Sequence, residues 1–124
     1  MAAKLSTYAA DLVLGILRGG TLAYDTSGNV LCLTSDQPDD DAYTKISGTG
    51  YADLDLLTSD WSAPSSRITN FASEKDFPTV GVGGWGTVAG YAIEDSSGNT
   101  LFSASLASGF TVVENDLVGT NALS

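Results

Sequence analysis

The chain has 124 residues, enough for one domain with one modest core. Fifteen acidic residues stand against five basic ones, giving a formal charge of −10, with no histidine and a single cysteine. These counts exclude imidazole-centred catalysis, an internal disulfide framework and a thiolate metal cluster, and they argue against docking on a phosphate backbone.

Met1-Ala2-Ala3-Lys4 opens the chain, and no export signal is read in it. Leu5, Tyr8, Ala9, Leu12, Val13, Ile16 and Leu17 then recur at helical spacing and predict an amphipathic helix over residues 5–18. Ser6 or Thr7 can cap its start by accepting from orphan backbone N–H groups. Gly19-Gly20 supplies a left-handed stop. One apolar stripe demands a partner, either the chain's own sheet or a neighbouring molecule.

After Gly20 the helical period disappears. Short β-rich runs predict strands at Thr21–Tyr24, Val30–Thr34, Tyr51–Leu57, Arg67–Phe71, Thr87–Ile93, Thr100–Leu106 and Phe110–Val113. Turn residues between them suit an antiparallel sandwich or jelly roll better than βαβ units. Cys32 falls in the second run and reads as a small, reduced core residue. The expected architecture is one mainly β domain over 1–124, with the helix first, a β-rich body over 21–118 and a tail over 119–124 available to dock on a neighbour. Asp25-Thr26-Ser27-Gly28-Asn29 and Asp95-Ser96-Ser97-Gly98-Asn99 share a form whose residues favour tight turns. No apolar run approaches the length that spans a bilayer.

Candidate chemistry is sparse. Asp36, Asp39, Asp40 and Asp41 cluster around Pro38 but lack the alternating spacing of a calcium loop, so they read as a solvated acidic surface loop. Between Thr21 and Asp60 there are eight acids and one base, Lys45, which concentrates the charge on this part of the chain. Asp53 and Asp55 lie two apart on a strand and could act as a hydrolytic pair, with Asp60, Glu94 and Asp95 as further acids. Fifteen acids generate many such pairs by chance. Gly81-Val82-Gly83-Gly84-Trp85-Gly86 lacks the Lys-Ser/Thr end of a phosphate loop and runs into a strand instead. The residues call for no enzyme, no cofactor and no metal. Leu5, Tyr8, Leu12, Ile16, Trp61 and Trp85 are candidate contact residues for a partner, and Trp61, Tyr43 and Tyr51 are candidate glycan contacts.

The order of these pieces resembles a known group. It runs from the amphipathic helix to the acidic Thr34-Ser35-Asp36-Gln37-Pro38-Asp39 loop and on to Ser47-Gly48-Thr49-Gly50-Tyr51 and Phe77-Pro78. Trp85-Gly86-Thr87-Val88 and Ile93-Glu94-Asp95 then lead into Gly98-Asn99-Thr100-Leu101. This is similar to a family of small tailed-phage virion proteins described as tail fibre or capsid decoration proteins, and it extends over about residues 5–118. The resemblance implies a structural virion role without catalytic residues. It implies a capsid decoration (cement) protein on the outer head surface, with the major capsid protein and further copies of itself as partners. Neither nucleic acid nor membrane is implied, and the protein would be made in the host cytoplasm. The alternative is a tail fibre or tail-tip component that binds a host receptor.

Overall fold

A computed structural model describes residues 4–21, 28–66 and 69–123. All of the run Thr21–Tyr24 but its first residue, most of the first Asp-Thr-Ser-Gly-Asn turn and the start of the run Arg67–Phe71 lie outside the described residues. The chain opens with a short strand β1 (Lys4–Leu5) and a helix α1 (Thr7–Leu17). Strands β2 (Asn29–Thr34), β3 (Leu54–Leu56), β4 (Gly86–Glu94) and β5 (Thr100–Val112) follow. One-turn 3-10 helices stand at Thr58–Asp60 and Thr120–Leu123.

Among the described residues the five strands form one antiparallel sheet in the order β1-β5-β4-β2-β3. The mainly β, antiparallel reading with an N-terminal helix therefore holds. The sandwich needs correction, because no second sheet faces the first among these residues. Leu31 and Leu33 of β2 and Leu54 of β3 are covered by Phe77, Val80, Trp85 and Val118, which lie outside strands and helices, and by Leu123 of the last 3-10 turn. The intervening chain is rich in Gly, Pro and Ser. It supplies apolar side chains at intervals too irregular for a ladder, so it packs as loops and not as a sheet.

Two of the predicted runs, Thr100–Leu106 and Phe110–Val113, are one strand, β5. Its register against β4 shifts between Val88 and Gly90, where the pairing partner jumps from Phe110 to Ser105. A bulge of this kind lets one strand bend without ending, and in a sequence the break reads as a turn. The β4–β5 connection is the second Asp-Ser-Ser-Gly-Asn turn. Asp95 accepts from the N–H groups of Ser97 and Asn99, and Gly98 adopts φ 85°. That left-handed φ is open to glycine at little steric cost.

The C-terminal segment also departs from expectation. Gly119 bridges Asp76, the Thr120 N–H donates to the Lys75 carbonyl, and Val118 and Leu123 are buried in the core. Through residue 123 it is part of the fold and not a free tail.

Ser6 caps α1 as the sequence suggests, its hydroxyl accepting from the Ala9 N–H at 3.0 Å. Gly19 and Gly20 close the helix through bonds to Ile16 and Gly15 carbonyls, with Gly19 at φ 82°. The apolar stripe is another matter. Ala9 is the buried residue of α1, while Val13, Leu14 and Ile16 are about half exposed and Leu17 is 83% exposed. No helix among the described residues is long and apolar enough to cross a membrane.

Candidate functional site

The two faces of the sheet differ in kind. Register places Cys32, Ala92 and Ser103 side by side, with Thr34 beside Gly90 and Val30 beside Glu94. Residues paired across strands share a face, so this one is paved with small and polar side chains. Small side chains let the acidic loop approach closely. At Gly90 an added Cβ would collide with the Pro38 ring and the Ala104 carbonyl oxygen. The loop is held by Asp36, which accepts from the Thr44 N–H at 2.9 Å, and by a tight turn with mutual Asp39–Ala42 backbone bonds.

The loop and α1 meet over this face and border a half-open cavity of about 430 Å³. Its walls include Tyr8 of α1, Asp40 and Asp41 of the loop, and Asn99 of the β4–β5 turn. Tyr43, Lys45, Glu94 and Thr100 also line it. Glu94 is buried, 6% exposed, yet both its oxygens are bonded. Lys45 Nζ lies 2.7 Å from Oε1, and the Tyr43 hydroxyl donates to Oε2. Thr100 Oγ1 is 2.8 Å from the same phenol oxygen. Lys45 also reaches Asp53 at 3.1 Å, and Asp53 accepts from the Tyr51 hydroxyl, which itself accepts from the Leu33 N–H.

A buried carboxylate in a low dielectric needs this pairing. Burial lowers the proton affinity of Lys45, but its bonds to Glu94 and Asp53 outweigh burial and hold the ammonium above the usual lysine range. Burial first, then the bond to Glu94, raises the Tyr43 phenol above its ordinary value. Burial and the nearby Glu94 charge push the Cys32 thiol up to about 12. Asp40 grips α1, accepting from the Thr7 N–H at 2.8 Å and from its hydroxyl at 2.5 Å. Those bonds hold its carboxyl below the usual carboxylate range.

The sequence-derived candidates scatter across the molecule. Leu5, Tyr8 and Ile16 are exposed at 43%, 40% and 48%, and Leu12 is half-buried. Trp61 is half-buried and stacks on Phe71 at 4.5 Å. Trp85 is corrected outright as a contact residue. It is buried, meets Tyr51 edge-on at 5.1 Å and donates its indole N–H to the Thr49 carbonyl, so it belongs to the core. Of the glycan candidates Tyr43 lines the cavity, whereas Tyr51 braces β2. The acidic loop is exposed, but Asp36 and Asp40 hold structure together. Asp53 is spent on Lys45 and Tyr51, and Asp55 stands exposed on β3.

Lys45 and Thr100 gave no signal as site residues, and Glu94 stood only among surplus acids. The period-two run Val88, Gly90, Ala92, Glu94, all buried, carries the missing clue. An acid in the buried phase of a strand requires a cation close by.

The described residues thus form a loop-covered antiparallel sheet with a polar cleft on one face and an apolar helix exposed beside it. Residues 4–123 match the family model of the podophage GP4 fiber I protein gp80, and the chain belongs to that family of phage virion proteins. A comparison with curated proteins finds no match.

Proposed function

We propose that the chain is a non-enzymatic structural component of a podophage fibre and assembles through the apolar side of α1. The observation that carries the reading is the helix itself. Val13, Leu14, Ile16 and Leu17 stay exposed in a protein that builds its core elsewhere. Grouped apolar exposure of this kind marks a protein contact surface. Copies of the same chain and neighbouring virion proteins are the partners that a fibre position supplies.

Capsid decoration rests on small size, the lack of a catalytic constellation and the resemblance to the virion family, all of which a fibre component shares. The fibre description of the family favours the tail. Gold-labelled antibody on purified particles, with copy number by quantitative mass spectrometry, separates the two. Label on tail appendages at a few copies per particle supports the fibre reading. Hundreds of copies over the head overturn it and install decoration in its place.

A further inference from the structure

We propose that the cavity between α1, the acidic loop and the β4–β5 turn binds a neutral polyhydroxylated ligand, a saccharide unit. The proposal does not depend on whether the chain stands on a fibre or on the head.

The volume, about 430 Å³, lies within the range of about 300–1,000 Å³ that holds small ligands. The lining is polar almost throughout, which disfavours an apolar guest. Three carboxylates (Asp40, Asp41 and Glu94) against one ammonium disfavour an anion. The remaining choice lies between a cation and a neutral donor-rich molecule, and the pairing of charges decides it.

Glu94 is paired with Lys45 at 2.7 Å, an ammonium it shares with Asp53 at 3.1 Å. Asp40 faces the N-terminus of α1, where the exposed N–H groups carry partial positive charge. Among the described residues no three acidic or thiol side chains stand close enough to hold a metal ion. Glu94 and Asp40 thus each have a donor on both oxygens, which weakens their pull on a cation, yet both retain acceptor capacity. A carboxylate offers about four lone-pair sites, and one bond on each oxygen leaves room for more. Acceptors already bonded to donors suit the further hydroxyl donors of a sugar. At the rim Tyr8, 40% exposed, adds a phenol ring of the amphipathic kind on which a sugar's C–H face can lie. Because Tyr43, Glu94 and Thr100 already hold one another, the floor is set before the ligand arrives, which lowers the ordering cost of binding.

The test is a titration of the full chain followed by amide NMR. Glucose, galactose, mannose, rhamnose and N-acetylglucosamine serve as probes, with putrescine, calcium chloride and inorganic phosphate as counter-probes. The expected result is saturable shifts at Tyr43, Asn99 and Thr100 with at least one sugar in the millimolar range. Tyr8→Ala, an exposed position, should weaken that sugar by about tenfold while the rest of the spectrum keeps its native dispersion. Silence from all five sugars overturns the proposal. So do shifts at these amides from putrescine, calcium or phosphate without a sugar response, or sugar shifts that Tyr8→Ala leaves unchanged.

Discussion

Lys45 is the residue on which the buried polar network turns. It faces two carboxylates, and one of them, Glu94, is shut away from water. Lys45→Met leaves that buried carboxylate without its cation, with the Tyr43 hydroxyl as its remaining donor. Breaking a fully buried pair costs about 3–5 kcal/mol, and the 40% exposure of the Lys45 side chain lowers the expected loss to about 1–3 kcal/mol, read from urea unfolding. Cys32 makes a second prediction. Its thiol is buried and pushed from 9.0 up to about 12, so the native protein should resist alkylation at mildly alkaline pH and react fully in denaturant. The sign for stability follows. The fold binds this proton more tightly than the unfolded chain, so stability is intact below about pH 9 and falls from there towards pH 12. Tyr43 and Tyr51, both raised mainly by burial, act in the same direction. Thermal melting across an alkaline series should show the decline.

At the scale of elements, α1 is short, and its own hydrogen bonds leave it marginal in water. Ser6 and Asp40 together satisfy its first N–H groups. Asp40→Ala should lower the helical circular dichroism signal and open the cavity wall while the sheet remains. Because the Asp40 carboxyl is held below its usual range, its contribution is present above that range and lost as pH falls through it. The cap, the glycine stop, the positions of β2 and β4, and the turn at Asp95–Asn99 are all legible in the sequence. The cap, the stop and the turn rest on bonds between residues a few positions apart, and the two strands show as short β-rich runs between turn residues. What the sequence hides is set by distant partners. The 83% exposure of Leu17 depends on what the rest of the chain fails to place over it, and periodicity is the same for a stripe facing a core and one facing a neighbour. The continuity of β5 is hidden for a similar reason, because a bulge and a turn use the same Ser-Gly vocabulary.

At the scale of the molecule, the core is a sheet face closed by loops, and the last turn completes it. Leu123→Ala should cost about 2–4 kcal/mol, as for other buried leucines, with guanidinium unfolding as the measure. Leu14→Ser with Leu17→Ser should leave that unfolding curve close to wild type. The same pair should abolish any association seen by analytical ultracentrifugation, and unchanged association would remove α1 as the contact surface. The cavity was the least legible feature, since Tyr8, the Tyr43–Lys45 segment and the Glu94–Asn99 segment lie in three stretches far apart in the chain. The pairing of β1 with β5 has a further consequence, in time. Lys4 meets Ser103 and Leu5 meets Phe102, so the opening strand has no partner until almost the whole chain has been made. Closing so long a loop before it is rewarded slows folding towards the milliseconds-to-seconds range of non-local β proteins. During synthesis α1 leaves the ribosome long before β5 exists, with its leucines uncovered, and in that interval a chaperone or a premature partner can reach it first.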